Sequence, residues 1–487
     1  MPKALIIGAG IAGIATAIRL AVKGHEVEVF EANSYPGGKL AEIRQDGFRF
    51  DAGPSLFTMP KYVDELFELA GKDPSQFFSY QKLDVICKYF YEDNGRLTAY
   101  ADEEKFIAEV NQLSSEGDSM RKHLKNSRQI YYISASVFLE KSLQRLKTYF
   151  SLDAFRALFQ LNKLDAGRSM HKANSSRFKD KRLIQYADRY ATYNGSDPYQ
   201  APATLNVIPH LEHYIGTYFP EGGMYSIVIC LVELAESAGV KFHYNAKVEE
   251  IILNDKKATG IKINGEITRA DIIVSNMDVW FTYHKLLNAH AQFFPKKILS
   301  QERSSSALIF YWGIKKQFPE LDLHNIFFSG DYQAEFDHIW KQQTIYHDPT
   351  VYVNISSKLK PDDAPTGCEN WFVMINVPSN KGQDWDQLIA DAKVNILKKL
   401  SQILKINIGE LIISESILDP RSIEGRTSSY QGSIYGTSSN SRYAAFLRHC
   451  NRSSKIKNLY FCGGSVHPGG GIPLCLLSAK IVSGWID

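Results

Sequence analysis

Residues 3 to 31 read KALIIGAGIAGIATAIRLAVKGHEVEVFE, and this stretch decides the fold. The apolar run from Lys3 to Ile7 predicts a short buried strand, and Ile11 to Lys23 predicts a helix with its apolar residues on one stripe. Gly24 ends that helix, and the alternation from Glu26 to Glu31 predicts a second strand. The stretch is therefore a strand–helix–strand unit, which is typical of α/β folds with a parallel sheet.

The glycines of this unit have separate tasks. Gly8 permits the tight turn from strand to helix, Gly10 lets the backbone approach a pyrophosphate, and Gly13 lets helix and strand pack closely. The helix N-terminus offers unpaired N–H groups to a phosphate, and Glu31 offers a carboxylate to ribose hydroxyls. The unit predicts dinucleotide binding, with an ordinary α/β unit as the alternative. The expected cofactor contacts are Gly8, Gly10, Ile11, Ala12, Gly13 and Glu31.

A second glycine turn favours a flavin cofactor over a nicotinamide cofactor. Gly37-Gly38-Lys39 follows soon after the acid, and the segment from Asp46 to Pro54 comes next. A nicotinamide enzyme would normally continue into another helix here, whereas a glycine turn with a basic residue suits an extended FAD. The expected FAD contacts in this part are Gly38, Lys39, Gly53, Pro54 and Ser55.

The C-terminal segment carries the third glycine cluster. Asn458 to Gly464 predicts a buried strand that ends in glycines, and an apolar helix is predicted from Leu474 to Trp485. Pro473 suits the first helical turn, and the helix N-terminus would stabilise negative charge on a reduced flavin. The alternative is a glycine-rich loop without a ligand. The expected contacts are Gly463, Gly464, Gly471, Ile472 and Pro473.

These motifs resemble the flavin amine oxidase and phytoene desaturase superfamily, and the C-terminal segment resembles the signature of bacterial-type phytoene dehydrogenases. The resemblance covers essentially the whole chain and is loose between residues 103 and 203. The chain departs from the family pattern at Val466, where a small residue is favoured, and at His449, where proline is usual. The resemblance implies FAD as cofactor, with Val248 and Asn276 as further contacts.

The resemblance also implies the domain organisation. Ile227 to Ala238 predicts a helix, and Lys241 to Ile251 and Ala270 to Asn276 predict strands that return the chain to the dinucleotide sheet. We expect an α/β fold with a Rossmann-like FAD-binding domain and a substrate domain made of an antiparallel sheet plus a helical lid. The boundaries are 1–72 with 220–285 and 425–487 for the FAD-binding domain, 73–120 with 190–219 and 286–424 for the substrate domain, and 121–189 for the lid.

The predicted lid is strongly basic. Residues 121–189 hold 16 Lys and Arg against 5 Asp and Glu, a net charge of +11 in a chain whose total is +3. The pattern from Ile130 to Leu164 is helical, and Lys141, Arg145 and Lys147 lie among its apolar residues. Two ordinary surface helices, a membrane-contacting surface and a nucleic-acid surface are the competing interpretations. No binding motif accompanies the charge, so we expect no nucleic-acid partner.

The length and composition limit the number of domains and the possible classes of protein. A chain of 487 residues is too long for one core, so two or three domains are expected. The 27 Phe and 26 Tyr fit either a large core or a long apolar cavity. Six scattered cysteines without a close CxxC pair argue against a zinc or dithiol site and for reduced thiols in a cytoplasmic protein. No apolar run reaches about 18 residues, so no transmembrane helix is predicted, and peripheral contact with the inner face of the cell membrane stays open.

The family resemblance implies a function. Gly53 to Pro60 and Gly463 to Leu474 look most like hydroxycarotenoid 3,4-desaturases, which act on a long polyene with a terminal tertiary hydroxyl. The alternatives are a phytoene or diapophytoene desaturase, a redox-neutral carotenoid isomerase and a flavin amine oxidase. Escort proteins that bind prenylated partners use the same fold, but they have no need of the C-terminal flavin turn. Oxygen and a quinone are both open as electron acceptor.

Polyene desaturation transfers a hydride and a proton in a dry, well-aligned site, so neither a metal cluster nor a nucleophilic triad is expected. Asp165 and Arg168 lie where similar desaturases carry a polar residue and an arginine discussed as catalytic. Asp165 is a candidate to take the proton and Arg168 to orient it; a surface ion pair is the alternative. Tyr218 and Phe219 are candidates to line a polyene tunnel, and His467 lies in the loop near the flavin.

Overall fold

The computed structural model describes residues 1–138, 160, 164–441 and 443–486. A five-stranded parallel sheet forms around the N-terminal strand, which occupies its centre. Its apolar residues alternate between the two faces, because Ala4 and Ile6 enter one core and Leu5 and Ile7 another. The strand order across the sheet is Lys241–His243, Glu26–Phe30, Lys3–Ile7, Ile272–Ser275 and Leu459–Phe461.

Helices cover one face of the parallel sheet and a small sheet covers the other. The helical layer is built from Ile11–Val22, Lys61–Leu69, Ser226–Ser237 and Ile472–Ser483. The opposite layer is an antiparallel sheet of Val248–Asn254, Lys257–Ile263 and Glu266–Arg269. Both faces of the parallel sheet are therefore buried, as expected for a sheet whose central strand is apolar on both faces.

One sequence prediction about these strands is wrong. Lys241 to Ile251 was predicted as a single strand, but the chain leaves the parallel sheet after His243 and enters the small sheet at Val248. Asn245 turns the chain with a φ of 53°, and its N–H donates to the carbonyl of Asn33. Asparagine tolerates this left-handed conformation better than most residues, so the apolar pattern continues while the chain changes sheet.

A seven-stranded sheet forms the second part of the fold. Its strand order is Ile412–Leu418, Ser306–Ile314, Glu369–Val377, Val351–Asn354, His324–Phe327, Val85–Phe90 and Arg96–Tyr100. Every pairing is antiparallel except that between His324–Phe327 and Val85–Phe90. The helix Trp385–Leu404 packs on one face, and the other face is turned toward the FAD-binding motifs. The predicted α/β fold with an antiparallel substrate sheet is confirmed; the domain boundaries stay a prediction.

The remaining elements surround these sheets. The other strands are Glu42–Gln45, Phe48–Asp51, Phe57–Thr58, Tyr80–Lys82 and Thr217–Pro220, and the other helices of eight or more residues are Glu103–Ser114, Gly117–Phe138, Lys181–Asp188 and Pro420–Thr427. The predicted helix from Ile130 to Leu164 overlaps Gly117–Phe138, and its basic residues Lys141, Arg145 and Lys147 lie outside the described residues. Among the described helices, none combines the length and the apolar character needed to cross a membrane.

Candidate functional site

One cavity of about 1140 Å³ is lined by residues of the parallel sheet and of the seven-stranded sheet. Single small-molecule sites usually measure about 300–1,000 Å³, so this cavity has room for a cofactor and a second ligand. Every cofactor contact predicted from the sequence lines it, with the exception of Gly13. These residues are Gly8, Gly10, Ile11, Ala12, Glu31, Gly38, Lys39, Gly53, Pro54, Ser55, Val248, Asn276, Gly463, Gly464, Gly471, Ile472 and Pro473.

The glycines leave bare backbone at one end of the cavity, here called the dinucleotide half. A Cβ on Gly10 would lie 2.5 Å from Oδ1 of Asn276, and a Cβ on Gly38 would lie 3.5 Å from Cα of Gly10. A Cβ on Gly13 would lie 2.2 Å from the carbonyl oxygen of Gly8, so Gly13 serves the packing of helix against strand. The space above Gly10 and Gly38 therefore fits the pyrophosphate of a dinucleotide, which needs bare backbone beside it.

Glu31 has two tasks, of which the sequence indicated one. Its carboxylate lines the dinucleotide half, and it accepts a hydrogen bond of 2.8 Å from the N–H of Ala9. It also accepts bonds from the backbone and side chain of Asn33 at 2.9 and 2.8 Å. A carboxylate has about four acceptor positions, so one remains for a ribose hydroxyl. Glu31 thus also fastens the glycine turn to the end of the second strand.

Lys39 brings a half-buried positive charge to the cavity wall. Its Nζ donates to the carbonyl oxygens of Ser433 and Ile434, each at 3.1 Å. Burial lowers the pKa of its ammonium group, and the nearby carboxylate of Asp278 acts in the opposite direction. A cation in this position favours a ligand that carries or acquires negative charge, as a dinucleotide and a reduced flavin both do.

The C-terminal loop brings a helix N-terminus to the same cavity. The helix Ile472–Ser483 begins directly after Gly471, and Pro473 lies in its first turn as predicted. The helix starts two residues before the predicted Leu474. The two departures from the family pattern, His449 and Val466, are buried and bridge to each other behind the loop. Neither residue lines the cavity, so neither changes the predicted FAD contacts.

The other end of the cavity, here called the polyene half, is floored by the seven-stranded sheet. Alternate residues of its strands point into the cavity, and the residues between them pack against the helix Trp385–Leu404. The floor is largely apolar and aromatic. Its residues are Ala307, Ile309, Ile326, Tyr352, Phe372, Met374 and Leu418, with Asn376 and His324 as polar members.

Hydrogen bonds fix the polar side chains of this floor. The hydroxyl of Tyr352 lies 2.8 Å from Oγ of Ser55 and 2.7 Å from Nδ1 of His324. Burial lowers the pKa of His324 to about 3, so its imidazole is neutral at ordinary pH. Burial likewise raises the pKa of the Cys87 thiol in the cavity wall to about 12, so this cysteine is not a nucleophile.

A buried arginine and a buried glutamate in the cavity wall were not predicted from the sequence. Arg189 and Glu212 both line the cavity, and 8% of Arg189 and 1% of Glu212 is exposed. The hydroxyl of Tyr193 accepts a bond of 3.1 Å from Arg189 and donates to Glu212. The available signal was the tyrosine series Tyr186, Tyr190 and Tyr193 at helical spacing around one arginine, which is unusual for a solvated surface.

The predicted catalytic pair lies elsewhere. Nε of Arg168 is 2.8 Å from Oδ1 of Asp165 and forms an i,i+3 ion pair, in which the side chains are 39% and 22% exposed. Arg177 approaches the same carboxylate at 3.6 Å. Neither member of the pair lines the cavity, so the geometry favours the surface ion pair. Their catalytic role stays a prediction.

Replacing Asp165 by Asn and Arg168 by Gln decides between these roles. We expect each variant to keep kcat/KM for the polyene within about threefold of the wild type, since exposed ion pairs contribute about 0–1 kcal/mol. Arg121→Gln, which breaks another exposed pair, with Glu104, is the matched control. A loss of more than about 100-fold in the first two variants alone would establish the catalytic role.

The other side chains named from the sequence lie in the core. Phe219 is buried against Leu83 and Leu323, and Tyr218 packs beside Tyr80. Neither lines the cavity, so the geometry favours packing in the core, and the tunnel role stays a prediction for both. His467 is also buried, and its carbonyl accepts a bond of 2.8 Å from Asn451. The aromatic walls of the cavity come instead from the sheet floor and from Tyr193, Tyr332 and Tyr435.

Comparisons with known proteins agree with this geometry. Residues 11–484 match the model of the family "Flavin containing amine oxidoreductase". A 1-hydroxycarotenoid 3,4-desaturase from Flavobacterium sp. (strain P99-3) is 50% identical over 484 residues, which are 99% of this chain and 98% of the relative. A 4,4'-diapolycopene oxygenase from Methylomonas sp is 33% identical over 99% of this chain and 97% of the relative. A crystal structure of an oxidoreductase from Methanosarcina mazei has a TM-score of 0.66 at 16% identity, covering 99% and 100% of the two chains.

Proposed function

The chain belongs to the flavin-containing amine oxidoreductase family and is an FAD-dependent oxidoreductase, and on this premise we propose that it desaturates carotenoids. The specific reaction we propose is 3,4-desaturation of a carotenoid that carries a hydroxyl at carbon 1. The relative of that name, at 50% identity across nearly both whole chains, supports this choice over a phytoene or diapophytoene desaturase.

One observation carries the proposal: the dinucleotide half and the apolar polyene half belong to a single cavity. When bound, FAD supplies the acceptor for the hydride that leaves the polyene. The chain contributes the rest. Gly10, Gly38 and Glu31 would hold the dinucleotide, and the sheet floor would align an apolar ligand beside it.

A carotenoid isomerase and a non-redox binding protein are the two alternative functions. A redox-neutral carotenoid isomerase would use the same cavity without net electron transfer, so only a redox measurement separates it. A non-redox binder of prenylated partners would need neither the glycine cradle nor Lys39 at the wall of the cavity. The observed cradle therefore favours an enzyme.

Pigment analysis tests the proposed reaction. The chain is expressed in cells that make either early colourless carotenoids or 1-hydroxylated late carotenoids, and the pigments are identified by absorption and mass. We expect one added double bond, and a loss of two mass units, in the 1-hydroxylated pigment. Conversion of the early precursors alone would contradict the proposal.

We also propose that the enzyme takes its substrate from the inner face of the cell membrane and passes its electrons to oxygen or a quinone. The net charge of +11 in residues 121–189, beside phenylalanine and leucine, suits an anionic lipid surface. A carotenoid is confined to lipid, so an enzyme without access to the bilayer would meet little of it.

Charge reversal tests the membrane contact. We expect Lys141→Glu, Arg145→Glu and Lys147→Glu together to weaken binding to anionic liposomes about 100-fold, since each basic residue near such a surface contributes about 1 kcal/mol. The same reversal of three exposed lysines elsewhere, Lys256, Lys381 and Lys398, is the control and should change binding little. Equal liposome sedimentation of all three proteins would count against membrane contact by this region.

A further inference from the structure

The polyene half of the cavity contains an arginine and a glutamate that an apolar polyene does not need. Arg189 and Glu212 are buried and line the cavity. Burying a charge is unfavourable unless partners satisfy it. The partners found here are phenols: Arg189 donates to the hydroxyls of Tyr89 and Tyr193, at 3.3 and 3.1 Å.

These partners leave hydrogen-bonding capacity unused. A guanidinium has five N–H groups, of which two donate to described residues, and no carboxylate of the described residues lies within 4 Å of Arg189. Glu212 accepts one bond from Tyr190, at 2.7 Å, and one from Tyr193, which leaves about two of its acceptor positions. Tyr193 therefore bridges a donor and an acceptor that both have capacity left for a ligand.

The pair lies on the side of the cavity that contains Tyr435. The segment that follows Arg189 abuts the C-terminal glycine loop through Tyr435: a Cβ on Gly195 would lie 2.9 Å from Cδ2 of Tyr435, and a Cβ on Gly470 would lie 2.8 Å from its Cα. The charge of Arg189 also reaches the floor, since it adds to the effect of burial in lowering the pKa of His324. Tyr435 lines the cavity as well, and the charge of Arg189 opposes the effect of burial that raises the pKa of this tyrosine. A ligand atom held by this pair would thus lie toward the C-terminal glycine loop.

A hydroxyl group matches this pair better than other polar ends. Arginine only donates, whereas a hydroxyl both donates and accepts. Burial raises the pKa of the Glu212 carboxyl, and the charge of Arg189 and the hydrogen bond from Tyr190 act in the opposite direction. The carboxyl oxygens of Glu212 can accept a hydrogen bond from a hydroxyl in either protonation state. An ammonium end would face the positive charge of Arg189, and a carboxylate end would face the carboxyl oxygens of Glu212. In a 1-hydroxy-3,4-desaturation the hydroxylated carbon lies only two bonds from the carbon that loses its hydrogen, so the hydroxyl must also be held close to the flavin.

We propose that Arg189 and Glu212 bind the terminal hydroxyl of the substrate. Arg189 donates a hydrogen bond to the hydroxyl oxygen, and Glu212 accepts a hydrogen bond from the hydroxyl. This inference rests on the proposed function and names the residues that set its substrate preference. A buried site built for a hydroxyl rejects the analogue without it, because the protein groups are then left unpaired. Arg189 and Glu212 thereby select late, hydroxylated carotenoids over their precursors.

The test compares kcat/KM of the holoenzyme for three polyenes of equal length that end in a hydroxyl, a hydrogen or a methyl ether. We expect the wild type to prefer the hydroxyl over the hydrogen by about 100-fold or more. The methyl ether, which accepts from Arg189 but cannot donate to Glu212, should fall between them. Arg189→Met should reduce the preference for the hydroxyl to less than about 10-fold, with FAD content and melting temperature as checks on folding.

Arg182→Met is the matched control, since Arg182 lies one helix earlier, pairs with Asp180 at 2.6 Å and does not line the cavity. It should keep the wild-type preference. If Arg189→Met does not fold, Tyr193→Phe, which removes only the bridging hydroxyl, should lower the preference for the hydroxyl substrate. The comparison of the three polyenes with the wild type needs no variant. A wild type that desaturates the hydroxyl and hydrogen substrates equally well overturns this inference and leaves the desaturase function standing. A wild type that desaturates none of the three overturns both.

Discussion

The Gly10→Val variant is expected to fold and to purify without FAD. The Cβ of any side chain at Gly10 would lie 2.5 Å from Oδ1 of Asn276, and the valine methyl groups would occupy the space that the pyrophosphate needs. Gly10 has a φ of −69°, which valine adopts readily, so the change acts through space and not through backbone strain. Because the valine side chain and the pyrophosphate cannot occupy the same space, we expect the FAD content to fall by more than about 100-fold.

The measurement is flavin absorbance per chain after gel filtration, with and without added FAD. Gly409→Ala is the control, since its Cβ would meet nothing closer than Oδ1 of Asn407 at 3.4 Å, and it should stay fully yellow. Circular dichroism checks that both variants keep their secondary structure. A Gly10→Val protein with a full complement of FAD would show that the dinucleotide does not bind over this turn.

The Met374→Trp variant is expected to keep its FAD and to lose polyene turnover. Met374 lies on the cavity floor between Phe372 and Asn376, and it is only partly buried because it faces the open polyene half. A tryptophan there narrows the path of a rigid polyene, which has no free rotation with which to avoid it. Overfilling a packed site costs about 1–3 kcal/mol, so kcat/KM should fall about 10- to 100-fold.

Val394→Trp is the matched control for this change. Val394 lies on the helix Trp385–Leu404 behind the same sheet and is 66% exposed, so an added ring there meets solvent. Both variants should show the flavin absorbance of the wild type. Unchanged turnover in Met374→Trp would place the substrate away from the sheet floor, and loss of FAD in that variant would show that the two halves of the cavity are not separate.

The dinucleotide half could be predicted from the sequence because its residues are contiguous in short motifs. A strand, a glycine turn and a helix form locally, so Lys3–Ile7 and Ile11–Val22 lie within one residue of their predicted bounds. Gly13 was predicted on the same grounds to let helix and strand pack closely. A Cβ on Gly13 would lie only 2.2 Å from the carbonyl oxygen of Gly8, which agrees with this prediction. The change of sheet near Asn245 was missed because the apolar pattern is the same in either sheet.

The polyene half could not be predicted in this way, because its residues come from distant strands and meet only in the folded chain. Arg189 and Glu212 looked like ordinary polar residues, since a sequence does not show which charges become buried. Asp165 and Arg168 attracted attention through the family resemblance, and the structure places them together but away from the cavity. Burial, a property of the tertiary structure, is what distinguishes the two pairs.

The most direct test of the central claim is a single turnover without oxygen. The yellow holoenzyme is mixed with one equivalent of 1-hydroxylated polyene, and the flavin and polyene bands are followed together. We predict that the flavin absorbance bleaches at the same rate at which the polyene band moves to longer wavelength, with one flavin reduced for each double bond formed. A shift of the polyene band while the flavin stays oxidised would indicate isomerisation and would contradict the account.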